Sequence, residues 1–265
     1  MRVTTRTIAD KKEQHEKITM LTAYDYTFAR LLDQAEIDML LVGDSLSNVI
    51  QGNDTTLPVT LDEMIYHTKA VVKGAKNYSM VVCDLPFMSY QTSDKDGFRN
   101  AGRVMKETGA GAVKLEGGER VCATVKLMTD NGIPVCGHLG LTPQSINQFG
   151  TYRTRGTTPD EADKIKQDAL ALQDAGVFAV VLEKIPATLA AEVTKMLKIA
   201  TIGIGAGNGC DGQVLVLHDM LGLNEEFHPR FVRTYLNLAE DVRSAFKKYG
   251  DNVRSGDFPN KEESY

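Results

Sequence analysis

Residues 109–116 read GAGAVKLE, an apolar run of strand length that carries a lysine and ends in a glutamate. Three other stretches share this form: AEIDMLLVGD ends at Asp44, SMVVCD at Asp84 and AGVFAVVLE at Glu183. Short apolar runs rich in branched side chains and bounded by turn residues read as strands buried on both faces. The strand candidates in these stretches are 39–42, 80–83, 112–115 and 177–182; four more, 18–22, 133–136, 200–204 and 214–217, bring the total to eight. Helical segments lie between most of them. Two open on apparent capping boxes, Thr60–Glu63 and Thr158–Glu161, the second with Pro159 at the first helical position. Buried strands alternating with helices imply an α/β fold with a parallel sheet, and eight units are the number that closes a (β/α)8 TIM barrel. An open doubly wound sheet is the alternative. Its GxGxxG fingerprint is absent, because Gly203, Gly205, Gly207 and Gly209 are spaced GxGxGxG.

A parallel barrel gathers the C-terminal ends of its strands on one face, and that face carries the active site. Asp44, Asp84, Glu116 and Glu183 are therefore expected to converge. Side chains alternate along a strand, so Lys114 and Glu116 point to the interior near the mouth while Val113 and Leu115 face the helices. Burying either charge alone is costly, so each should have partners. The simpler alternative makes the acids helix caps and the Lys114–Glu116 pair a plug of the mouth. Three carboxylates near one point repel unless a cation holds them, and an all-oxygen set suits Mg2+. Such an ion chelated by a 2-oxo acid polarises its ketone and stabilises an enolate. Lys114 would add positive charge beside the oxyanion or the substrate carboxylate. Glu183 ends a strongly apolar strand, where a carboxylate's pKa rises toward that of a general base. His138, placed after the fifth strand in CGHLG, reads equally as a substrate- or proton-handling residue and as a structural one. The glycines from Gly203 onward read first as tight turns and second as a phosphate loop.

Composition narrows the class. The 265 residues fit one barrel domain, expected over 1–265 with a polar tail from about 255. A net charge of -5 leaves no basic excess, which argues against a nucleic-acid partner. Cys83, Cys122, Cys136 and Cys210 are scattered without a CxxC pair, as reduced thiols of a cytoplasmic protein would be. The N-terminus is polar, and no apolar run is long enough to span a bilayer, so no membrane role is expected.

Longer motifs then become recognisable: TAYDY (22–26), VGDSL (42–46), LPVTLDEMIYHT (57–68), DLPFMSY (84–90), VKLEGGE (113–119), PVCGHLGLTPQS (134–145) and GIGAGNGCDGQVLVLHD (203–219). With these the chain closely resembles the ketopantoate hydroxymethyltransferase family. The resemblance implies a (β/α)8 barrel of the phosphoenolpyruvate/pyruvate superfamily. It implies transfer of a hydroxymethyl group from 5,10-methylenetetrahydrofolate to 3-methyl-2-oxobutanoate, giving 2-dehydropantoate and tetrahydrofolate on the route to pantothenate and coenzyme A. By motif match Asp44, Asp84 and Glu116 are the Mg2+ site, and Asp44, Ser45, Asp84 and Lys114 contact the 2-oxo acid. Glu183 is the proton acceptor and His138 a further active-site residue. A homodecamer of two pentameric rings is also implied. Ser47 and Asn48 depart from the family pattern, 91–102 is one residue longer than in some relatives, and the resemblance is weakest after about Phe227. Two rivals remain. A lyase or mutase on the same barrel would often present a cysteine in a mobile loop, whereas Cys83 and Cys136 fall inside strands. A non-catalytic binding barrel would be expected to lose the base, yet Glu183 is present.

Overall fold

A computed structural model describes residues 2–226 and 229–265; Met1 and Phe227, which bound the expected domain and the region of weakest resemblance, lie outside the described residues. The chain divides into two compact units, Met1–Leu215 and Val216–Tyr265. In the first, the order is α1 (Thr5–Glu13), β1 (Ile18–Thr22), α2 (Tyr26–Gln34), β2 (Met39–Val42), α3 (Leu46–Val49), α4 (Leu61–Gly74), β3 (Met80–Asp84), α5 (Asp94–Thr108) and β4 (Ala112–Glu116). It continues with α6 (Cys122–Asp130), β5 (Val135–Gly140), α7 (Ile146–Phe149), α8 (Pro159–Asp174), β6 (Ala179–Glu183), α9 (Ala187–Met196), β7 (Ala200–Ile204) and β8 (Gly212–Leu215). The strands pair in parallel in sequence order, and β8 returns to β1 to close the barrel. The open sheet is thereby excluded. The second unit holds α10 (Leu217–Met220) and α11 (Leu238–Ser255). No helix among the described residues is long and apolar enough to cross a membrane.

Five strands differ in their bounds from the sequence reading, the fifth and the eighth most. The fifth strand runs on through Gly137 and His138 to Gly140, so His138 is a strand residue and not a loop residue. The glycines there are packing devices: a Cβ on Gly137 would lie 2.9 Å from Leu172 of α8, and one on Gly140, at φ +93°, would lie 2.2 Å from the Glu183 carbonyl. The eighth strand begins at Gly212, where a Cβ would lie 2.4 Å from the Ile18 carbonyl, and Leu217 already belongs to α10. Only one capping box forms as expected. Thr60 and Glu63 bond reciprocally, whereas the Glu161 side chain turns to the Gly156 N–H and Arg155, leaving Thr158 a one-way cap. In the glycine-rich segment, Cβ atoms on Gly207 and Gly209 would press on Ala187 and Ala191 of α9 at 2.5 and 2.9 Å, so these glycines serve close packing.

The interior is layered. Ile18, Met20, Met39, Leu41, Met80, Val82, Ala112, Cys136, Ala179, Val181, Ala200, Ile202 and Val214 fill the barrel, as alternate inward positions of a small barrel must. The polar N-terminal stretch supplies the plug: Thr4 caps α1, and Ile8, fully buried, joins this core with Val3. Around the plug the N-terminal strand ends are tied by paired charges. Asp38 accepts from the Thr19 N–H (2.8 Å) and the Tyr78 hydroxyl (2.9 Å) and meets Lys11 at 2.7 Å. Asp33 accepts from the N–H groups of Asn77, Tyr78 and Ser79. Asp211 meets Lys12 at 2.7 Å and the Thr201 N–H at 2.8 Å.

Candidate active site

The opposite end of the barrel gathers the predicted acids. Parallel register sets Asp84 beside Lys114, Glu116 beside His138, and Gly140 beside Glu183. Asp44 follows β2 in a tight turn: the Ser47 N–H donates to the Asp44 carbonyl, and a Cβ on Gly43 would lie 2.8 Å from Ser45 Oγ. The Ser45 hydroxyl caps no helix; it pairs with the Tyr24 hydroxyl at 2.8 Å. Ser47 and Asn48, the departures from the family pattern, brace the next loop through bonds to the Thr55 carbonyl (2.7 Å) and the Asn53 carbonyl (2.8 Å).

Asp44, Asp84, Lys114, Glu116 and His138 are all at most 5% exposed. Lys114 Nζ forms an ion pair with Asp84 Oδ1 at 3.0 Å, and that buried oxygen has no other polar partner among the described residues. Burial, then the charges of Asp84 and Glu116, push the Asp44 carboxyl well above its usual range. Burial likewise raises Asp84, although Lys114 and the Asp44 N–H pull it down. Burial disfavours the Lys114 ammonium, yet Asp84, Glu116 and Asp44 together hold its pKa above the ordinary lysine value. With all of them ionised, the three acids outnumber the two buried cations beside them, Lys114 and the His138 ring, by one charge.

His138 links this cluster to Glu183. Its Nδ1 faces Lys114 Nζ at 3.3 Å and Glu116 Oε1 at 3.4 Å, and its Nε2 lies 3.2 Å from Glu183 Oε2. Burial and Lys114 favour the neutral ring, but Glu116 and Glu183 outweigh them and lift its pKa to about 9. The Glu183 side chain is 20% exposed, so it stands at the edge of the cluster, against His138, rather than within an apolar pocket.

Gln144 and Tyr90 complete the cluster. Gln144 Nε2 donates to Asp44 Oδ2 (2.9 Å) and to the Leu85 carbonyl (3.0 Å), and its backbone N–H donates to Glu116 Oε2 (3.0 Å). Its Oε1 accepts from the Tyr90 hydroxyl (2.7 Å) and Gln91 Nε2 (2.9 Å), while the Tyr90 oxygen accepts the Glu116 N–H. Sequence reasoning missed Gln144 because an amide in TPQS carries no charge and no strand-end signature. Beside the cluster lies a cavity of about 640 Å3 lined by Gly117, Arg120, Thr142, Phe149, Arg155 and Lys164 among others. The acids do not line it; the Arg155 guanidinium stacks over the Phe149 ring at 4.3 Å.

The donor set fits a hard cation. Its ligand atoms are carboxylate oxygens, the surplus charge is negative, and the one close partner of the buried Asp84 Oδ1 is the Lys114 ammonium. Among the described residues no group of three or more His, Cys, Asp or Glu side chains stands together closely enough to hold a metal ion by itself.

The family described as Ketopantoate hydroxymethyltransferase matches residues 2–261, running past the region of weakest resemblance. The chain is 60% identical to the 3-methyl-2-oxobutanoate hydroxymethyltransferase of Chlorobium phaeobacteroides, over 99% of this chain and 96% of that one. It is 55% identical to the enzyme of the same name from Flavobacterium johnsoniae, over 100% and 97%. Among solved structures, 2,3-dimethylmalate lyase, a PEP mutase/isocitrate lyase superfamily member, superposes with a TM-score of 0.60 at 14% identity, covering 100% of this chain and 92% of that one. Phosphonopyruvate hydrolase in complex with oxalate and Mg++ gives 0.62 at 10% identity, covering 98% and 93%. These two likenesses speak for the fold.

Proposed function

The chain belongs to the ketopantoate hydroxymethyltransferase family and is an enzyme of that class, and from this premise we propose how its own residues act. Its substrate is 3-methyl-2-oxobutanoate, and its product is 2-dehydropantoate, on the way to pantothenate. The one-carbon donor is 5,10-methylenetetrahydrofolate, which leaves as tetrahydrofolate. Asp44, Asp84 and Glu116 would hold Mg2+, which when bound polarises the carboxylate and ketone of a 2-oxo acid. Lys114 adds a fixed positive charge beside the substrate's oxygens, in a dry site where such a charge acts strongly. The Ser45 hydroxyl, held by Tyr24, offers a donor to the substrate.

Glu183 removes the proton from C3. His138, whose Nε2 lies 3.2 Å from its Oε2, places a positive charge beside that carboxylate and orients it. The resulting enolate carbon bonds to the donor's methylene carbon as one of its two C–N bonds breaks; water then replaces the second nitrogen, giving the hydroxymethyl group, and the freed nitrogens take up the protons and leave as tetrahydrofolate. The neighbouring cavity has the volume of a small-molecule site and suits the donor's aromatic body. The enzyme works in the cytoplasm on small molecules, as a homodecamer, without nucleic-acid or membrane partners.

The observation that carries this reading is the buried cluster of three carboxylates and one ammonium, joined to Glu183 through His138. Proton NMR of 3-methyl-2-oxobutanoate in D2O, with Mg2+ and with or without the folate, tests it. Loss of the C3 proton without folate and 2-dehydropantoate with it are expected. Exchange without product would move the chain to the lyases, and no exchange with any metal would overturn the mechanism.

A further inference from the structure

Each of the three carboxylates commits one oxygen to a neutral donor. Asp44 Oδ2 takes Gln144 Nε2, Glu116 Oε2 takes the Gln144 N–H, and Asp84 Oδ2 takes the Asp44 N–H at 3.1 Å. Two of the three commitments come from one residue. The opposite oxygens, Asp44 Oδ1, Glu116 Oε1 and Asp84 Oδ1, are left for charged partners. We propose that Gln144 is the positioning residue of the acid cluster, selecting which oxygens of Asp44 and Glu116 face a divalent cation. The proposal rests on the metal reading above and adds a residue that reading did not need.

Gln144 suits the task because every hydrogen-bonding direction of its carboxamide is used. The Leu85 carbonyl can only accept, so Nε2 must face it, and the amide cannot flip. Nε2 therefore has its second N–H on Asp44. On the other side, Oε1 takes the Tyr90 hydroxyl proton, which leaves the Tyr90 oxygen free to accept the Glu116 N–H. The carboxamide thus braces the Asp44 carboxylate directly and the Glu116 backbone through Tyr90, while the residue's main-chain N–H holds Glu116 Oε2. At 6% exposure Gln144 is largely shielded from the solvent that could substitute for a lost partner. A neutral amide also holds these acids without neutralising them. An arginine or lysine there would compete with the cation for the same negative charge. Partners that orient a metal's ligands are themselves costly to remove, by about 10–100-fold in metal affinity.

The test uses Mn2+ alone, titrated without substrate and read by electron paramagnetic resonance, on the parent, Gln144→Met and Gln144→Asn. Met keeps the volume and removes both amide functions; Asn keeps an amide too short to span Tyr90 and Asp44. Mn2+ affinity is expected to fall by about 10–100-fold in the Met variant, with a smaller loss in the Asn variant. The metal-free melting temperature is measured alongside, and a merely structural role would lower it while leaving Mn2+ affinity alone. Affinity within about twofold of the parent, in whichever variant folds, overturns the proposal; the Asn variant decides if the Met variant does not fold. A parent that binds no Mn2+ defeats the metal reading itself, an outcome distinct from a parent that binds and variants that bind equally well.

Discussion

Asp33 and Asp38 lie at the N-terminal end of the barrel, Asp44 and Asp84 at the C-terminal end, and all four are between 1% and 5% exposed. Burial raises the pKa of each. At the N-terminal end that cost is overcome. Three backbone N–H groups bring Asp33 below its ordinary value, and Lys11, Thr19 and Tyr78 do the same for Asp38. At the C-terminal end it is not overcome. Asp44 adds the repulsion of Asp84 and Glu116 to its burial, and the pull of Lys114 and of the Gln144 amide does not offset them. One end of the fold spends its buried charge on holding strands and the plug helix together. The other keeps buried charge unsatisfied, as a site that awaits a cation and an acid substrate would.

The largest effect should come from the edge of the unsatisfied end. Glu183→Gln is expected to slow C3–H exchange of 3-methyl-2-oxobutanoate by about 10²–10⁴-fold, the usual worth of a general base, measured by NMR in D2O. Mn2+ affinity and melting temperature should hardly change, because Glu183 is outside the ligand set and partly exposed. Normal exchange in this variant would remove it from the mechanism.

The same substitution at the two ends should then act with opposite signs. Asp33→Asn replaces an oxygen that accepts backbone N–H bonds with a group that donates, and should cost about 2 kcal/mol of stability in denaturant unfolding. Asp44→Asn removes a repelled charge and should raise metal-free stability by about 1 kcal/mol while abolishing activity. Equal losses in both would erase the contrast between the ends.

The smallest effect is a pH dependence at the satisfied end. Asp38 has a folded pKa below its unfolded value of about 3.9. Its ionised form therefore stabilises the fold above that unfolded value, and the contribution is lost as pH falls through the folded pKa. The stability gap between the parent and Asp38→Asn should be constant from about pH 5 upward and should shrink below about pH 4. A gap that grew on acidification would reverse the sign assigned to this end.

Read from the sequence, β1, β2 and β7 have their observed bounds, and the strand-end acids fall on one face. These features are local: apolar run length, side-chain alternation and turn residues act within a few positions. Where a glycine is needed for packing, local reading failed. The fifth strand was read as 133–136 with His138 after it, whereas it continues to Gly140 through Gly137, whose missing side chain makes room for Leu172. The polar stretch before β1 concealed α1, whose one fully buried side chain, Ile8, has a partner only once the barrel exists.

By itself the sequence determined the barrel class, the face that carries the acids and the inward direction of Lys114 and Glu116. Each follows from the strand period and from parallel strands ending together. Only the tertiary structure decided that His138 stands between Lys114 and Glu183, and that Gln144 reaches Asp44, 100 positions earlier in the chain. Those contacts join different βα units. They depend on ring closure and on strand register, and neither is encoded in any one segment.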